Sequence, residues 1–113
     1  MATGERQMPT FDEREKSFER KFQQDQELAF KVKARRNKLL GLWAAGQLGL
    51  TGDAAERYAR EVMQSDLEHP GVEDIIAKVA GDFAKKGVAL DETRVRVELE
   101  RCATEAKKQL GPQ

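Results

Sequence analysis

Residues 28–50 read LAFKVKARRNKLLGLWAAGQLGL, and this stretch decides the fold. Leu28, Ala29, Val32, Leu39, Leu40, Leu42, Trp43 and Leu48 supply dense apolar positions, while Lys31, Lys33, Arg35, Arg36 and Lys38 supply charge without a single acidic residue. Apolar residues recurring three and four apart mark one face of a helix that packs on a core. Upstream, no proline or glycine occurs between Thr10 and Gly41, so the helix is expected to begin near Phe11. Thr10 suits the N-cap, and Glu13 completes a capping box. A helix from Phe11 to about Leu48 is long for a globular protein, and its two halves differ. In the first half, Phe11, Phe18 and Phe22 are the strong apolar residues and fall within an arc of roughly 40° at helical spacing. The residues between them are polar. Such a narrow stripe cannot form a core by itself, but it can mark a docking face. Met1 to Pro9 has no periodicity and reads as a disordered lead.

Downstream, Gly49 to Gly52 form a turn. Asp53 with Glu56 reads as the N-cap and third position of a second helix, about Ala54 to Glu68, with Ala55, Tyr58, Ala59, Val62, Met63 and Leu67 on its buried stripe. His69-Pro70-Gly71 breaks it. A third helix, Val72 to Lys86, is expected to bury Val72, Ile75, Ile76, Val79, Ala80 and Phe83. Lys85, Lys86 and Gly87 suit its end. A fourth runs from after Asp91 to about Leu110, with Val95, Leu99, Cys102, Ala103, Ala106 and Leu110 inward. The fold class is therefore all-α. The expected architecture is a four-helix bundle over residues 28–113, preceded by a mobile or disordered docking segment over residues 1–27.

Composition agrees. The chain has 113 residues, 39% hydrophobic and 35% charged, which suits one domain of helices around a thin core. Twenty basic and twenty acidic residues give no net charge, which argues against a general nucleic-acid binder. No stretch approaches the ~20 apolar residues of a membrane span. Met1 to Gln7 lacks an apolar signal region. One cysteine excludes an internal disulfide, and a cytoplasmic location is expected.

Catalytic chemistry finds little support. His69 has no cysteine or second histidine with which to form a zinc site, and a turn residue ahead of Pro70 is the stronger reading. Cys102 lies on the apolar stripe and reads as a small buried hydrophobe. The carboxylates have basic residues three or four positions away, as on solvated helix faces. Gly41, Gly46 and Gly49 stand among leucines and alanines and suit close helix packing or a bend, not a phosphate cradle. Trp43 reads as a core anchor. Arg35, Arg36 and Lys38 form a candidate anion or nucleotide site, because guanidinium groups pair with phosphate in bidentate fashion. The competing reading is a solvated basic face.

Phe11-Asp12-Glu13-Arg14-Glu15, Glu19 with Lys21-Phe22, and above all Ala34 to Ala45 resemble the zeta subunit of the alphaproteobacterial F-type ATP synthase, an ATPase inhibitor. Tyr58-Ala59, Asp66, Pro70-Gly71, Lys78-Val79 and Asp82-Phe83 fit as well. The resemblance covers the chain from Thr10 onward. It implies a non-catalytic regulatory protein whose N-terminal segment inserts at a catalytic interface of the soluble ATPase sector, beside the rotor, and opposes hydrolysis. Carried over, the inhibitory segment is about Thr10 to Asp25, with Phe11, Arg14, Phe18, Arg20 and Phe22 as contacts. The implied partner is the catalytic sector of the synthase, the location peripheral to the inner membrane, and the free protein a monomer. No cofactor is expected beyond weak nucleotide binding. The alternative is a helical module answering nucleotide or anion through Arg35, Arg36 and Lys38 without inhibition. The family usually starts just before the position of Thr10, so either Met8 is the true start or a longer tail from Met1 is accommodated in the wedge site.

Overall fold

A computed structural model describes residues 11–69 and 71–111, with side chains from Glu15 onward. The expected lead over Met1 to Pro9, the Thr10 cap, the Glu13 capping contact, the side chains of Phe11 and Arg14, and Pro70 lie outside the described residues. Four helices account for nearly all of the rest: α1 Phe11–Gln47, α2 Gly52–Glu68, α3 Val72–Lys86 and α4 Glu92–Leu110. No strand occurs among the described residues. The contacts divide the chain after Phe30, so the first part of α1 forms one unit and Lys31 onward forms the bundle.

The bundle core draws on every helix. Leu40, Ala44 and Ala45 come from α1, Tyr58, Ala59 and Val62 from α2, Ile75, Ile76, Val79 and Phe83 from α3, and Val95, Leu99, Cys102 and Ala106 from α4. Trp43 packs edge-on against Phe83, with ring centroids 5.6 Å apart at 76°. An edge-to-face pair of this kind adds about 0.5–1.5 kcal/mol beyond simple burial. The Arg94 guanidinium lies over the indole, 5.3 Å from its centre.

The helix ends follow from local chemistry. The Asp91 carboxylate accepts the Arg94 N–H at 3.1 Å and starts α4. Gly87, at φ 75°, takes the left-handed turn that lets the Val88 N–H reach the Phe83 carbonyl at 2.8 Å. Helix two differs from expectation. It begins at Gly52 with Thr51 in the N-cap position, and Asp53 lies within the first turn. There its carboxylate still meets the positive end of the helix dipole.

Three expected core residues are exposed. Leu67 is 64% exposed because the inward position one turn beyond Val62 belongs to Asp66, leaving Leu67 rotated outward. Val72, at the mouth of α3, precedes the packed stripe that begins at Ile75 and is 38% exposed. Ala29 is exposed because it precedes the part of α1 that meets the bundle.

Gly41 sets how closely α1 approaches α2. A Cβ at this position would stand 2.6 Å from Ala59 Cα and 3.1 Å from its Cβ. Backbone cannot yield as a flexible side chain does, so Gly41→Ala is expected to destabilise the fold by about 1–3 kcal/mol. Gly46 lies on the same helix with nothing within 4 Å of the equivalent point. Gly46→Ala is therefore expected to be neutral or to stabilise by up to about 1 kcal/mol through helix propensity. Urea melts of both variants test the pair; equal effects would refute the close-approach account.

Candidate partner-binding surfaces

The first unit offers an exposed helix. Every described residue from Glu15 to Glu27 is exposed, including Phe18 at 71% and Phe22 at 57%. Spaced four apart, the two rings stand on one face, with Arg20 exposed on the far side. Phe30, which the sequence reading passed over, is also exposed, at 63%. Its position falls about 80° from Phe22 around the helix, off the stripe. Solvent-facing aromatics in a segment without a core have the composition of a helix-in-groove ligand.

The second half of α1 distributes its cations in several directions. Arg36 is half-buried, and its Nε donates to Asn37 Oδ1 at 2.9 Å. Burial pulls the Arg36 guanidinium below its ordinary value, opposed by the neighbouring Asp66 charge. Arg35 donates from Nη1 to Gln109 Oε1 on α4. Lys38 is exposed. Arg36 is thus directed inward, while Arg35 faces the α4 side and Lys38 faces solvent. Lys33 reaches Asp66 Oδ2 at 3.4 Å.

Three polar residues lie inside the bundle: Asn37 at 2% exposure, Asp66 at 7% and Glu98 at 2%. This departs from the expectation that the carboxylates stand on solvated faces. Glu98 accepts from Arg94 at 3.1 Å and is also bonded by Arg101. Burial raises its carboxyl, but the hydrogen bonds and charges of Arg101 and Arg94 outweigh burial and hold it below the ordinary value. Asp66 Oδ1 and Arg36 Nη2 are buried without a hydrogen-bond partner. On α2 and α3, the Tyr58 hydroxyl donates to Asp82 at 2.7 Å, and Lys78 bridges Asp82 at 3.1 Å and Glu61 at 3.4 Å. Burial, followed by the Asp82 contact, raises the phenol.

These clusters are structural. Burial pushes the Cys102 thiol up to about 11, helped by the Glu98 charge, so it is a poor nucleophile at neutral pH. The His69 N–H closes α2 on the Ser65 carbonyl at 2.9 Å. Among the described residues, no group of three metal-ligating side chains forms, and no helix is long and apolar enough to cross a membrane.

The family model described as ATPase inhibitor subunit zeta matches residues 8–109. This chain belongs to the ATPase inhibitor subunit zeta family. A protein structure solved in solution by NMR shares 48% identity, covering 72% of this chain and 92% of that one, at a TM-score of 0.63. No curated relative matches. As a zeta-family member the chain is a regulatory, inhibitory protein and not an enzyme.

Glu98 yields a pH prediction. Its folded pKa is depressed, so its contribution to stability is complete above the ordinary glutamate value of 4.5 and is lost as pH falls through the lower folded value. Glu98→Gln is expected to cost about 1.5 kcal/mol or more at neutral pH. It should also flatten the loss of stability below pH 4.5, as read from denaturant melts across the acid range. An unchanged acid slope would show that Glu98 is not the group responsible.

Proposed function

We propose that this zeta-family protein restrains ATP hydrolysis by inserting the helical segment around Phe11 to Asp25 at a catalytic interface of the soluble ATPase sector, next to the rotor. The observation that carries this reading is the exposed Phe18/Phe22 face on the part of α1 that belongs to the first unit. Phe11, Phe18 and Phe22 act as apolar anchors, and Arg14 and Arg20 meet polar groups on the walls. A helix wedged between the rotor and a catalytic interface opposes turning in the hydrolysis direction. The bundle stays outside and holds the segment close to its target. In this reading the protein is a free monomer that joins the synthase on the cytoplasmic side of the inner membrane.

Each phenylalanine is worth roughly 1.5–3 kcal/mol when buried. Phe18→Ala and Phe22→Ala should therefore each weaken inhibition by about tenfold or more, since 1.4 kcal/mol corresponds to a factor of ten. Removing Met1 to Asp25 should abolish it while leaving the bundle folded. The measurement is steady-state ATP hydrolysis by the purified catalytic sector against added protein. A folded full-length protein that leaves hydrolysis unchanged would overturn the reading.

The free segment has no core to hold it. Amide hydrogen exchange over residues 15–27 should be fast in the free protein and slow once the catalytic sector is added. Strong protection in the free protein would contradict this. In the second reading, a nucleotide-responsive module, the contacts fall to Arg35 and Lys38, because one guanidinium nitrogen of Arg36 is buried.

A further inference from the structure

From Leu28 to Leu50 the chain has five basic residues and no acidic one. Within the bundle, this excess is only partly compensated. Lys33 pairs with Asp66 at 3.4 Å. Arg36 is turned inward onto Asn37, beside the same carboxylate. The other three cations, Lys31, Arg35 and Lys38, follow the spacing i, i+4, i+7. They share one face within an arc of roughly 60° and rise about 10 Å along the axis.

Lys31 and Lys38 are exposed and Arg35 is half-buried. Arg35 is held by Gln109 Oε1, and the Gln109 amide donates in turn to Glu105 Oε2 at 3.2 Å. A neutral amide orients a guanidinium without cancelling its charge. Like charges at these spacings repel by about 0.2–0.5 kcal/mol per pair. The ion pairs among the described residues involve none of the three. The bundle gains one hydrogen bond between α1 and α4 from the row but no ion pair, and Arg35 is oriented while its charge stays available.

We propose that the Lys31/Arg35/Lys38 face is a second docking surface, which fits an acidic surface on the ATPase sector that the phenylalanine segment engages. The inference rests on the inhibitor reading above for the identity of the partner. The stated chemistry is a row of carboxylates. On a facing helix such a row repeats at the same i, i+4, i+7 rise and can match all three cations. A single small anion can meet one or two of them, because the row is spread along a convex helix. The face differs from the Arg35/Arg36/Lys38 group suggested by the sequence: Lys31 joins it and Arg36 leaves it for the interior. It positions the bundle beside the target and raises the effective concentration of the inserting segment.

The test is calorimetric binding of the full-length chain to the catalytic sector, with hydrolysis measured in parallel. The variants are Lys31→Glu with Lys38→Glu and, as a milder pair, Lys31→Gln with Lys38→Gln. Arg35 is left in place to keep its Gln109 contact. Both pairs change exposed side chains, and circular dichroism confirms the fold. Wild-type binding should weaken as salt rises. The charge-reversed pair should bind about tenfold more weakly at low salt with a flatter salt dependence. At saturation it should still inhibit fully, because the phenylalanine face is intact.

Equal affinity of the charge-reversed pair and the wild type would overturn the inference and leave the inhibitor reading standing. Wild-type binding without inhibition would overturn the inhibitor reading, and the loss of affinity in the variants would still decide the docking face. Absence of wild-type binding would overturn both. If millimolar ATP shifts the Arg35 and Lys38 amides and displaces the chain from the sector, the row is a small-anion site and the docking proposal fails.

Discussion

The bundle depends on one close crossing. Where Gly41 of α1 meets Ala59 of α2, the backbones approach so closely that a methyl group on the glycine would overlap the facing Cα at 2.6 Å. Helix axes usually lie about 8–10 Å apart, set by the side chains at the contact. A glycine against an alanine selects the short end of that range. Leu40, Ala44 and Ala45 then reach the core with no exposed surface, and Trp43 lies edge-on against Phe83. A wider crossing would open space around small alanine side chains that cannot fill it. Close packing is thus the condition under which an alanine-rich face such as Ala44-Ala45 can contribute to a core.

The same crossing fixes where the charges fall. One helical turn before Gly41, Asn37 is buried, and Arg36 and Lys33 stand near Asp66. This polar seam is not an efficient source of stability. Asp66 keeps one oxygen on Lys33 and leaves the other without a partner, as Arg36 does with Nη2. A buried unsatisfied group costs about 1–3 kcal/mol. What the seam supplies is register, because a shift of α1 by one turn would carry Lys33 and Arg36 away from the only buried carboxylate on α2. Glu98 plays a better-satisfied role on α4, clasped by Arg94 and Arg101 while Arg94 also covers Trp43.

The fold was legible where a helix carries its own boundary chemistry. Gly87 and Asp91 appear in the structure at the left-handed cap and the N-cap that their residue types suggest. Periodicity located Tyr58, Val62, Ile75, Ile76, Val79, Phe83, Val95, Leu99 and Cys102 in the core. It failed where residue type and position disagree. Asp66 continues the Tyr58 and Val62 spacing of four, and Glu98 adjoins Leu99 on the inward face of α4, so position placed both inside while chemistry argued for the surface. Reading the spacing first would have found them, and would have moved Leu67 outward. The Arg35/Arg36/Lys38 group was harder to judge. Adjacent residues on a helix diverge by about 100°, so contiguity in sequence hid the fact that Arg36 faces the interior.

The division of labour within α1 follows from what a helix needs. Starting an isolated helix is costly, whereas extending an existing one adds a hydrogen bond for each residue fixed. In α1 the helical residues run without interruption from Gln47 back to Phe11, and the part from Lys31 onward belongs to the packed unit. The packed part can therefore serve as the nucleus for the exposed part. Phe18 and Phe22 need not be sheltered at home to be presented at helical spacing. The ordering cost that remains for a partner is that of propagation, and lowering this cost raises affinity without any added contact. In the inhibitory reading proposed above, a segment with little apolar surface of its own thus binds through two or three aromatic anchors, provided the helix is already started.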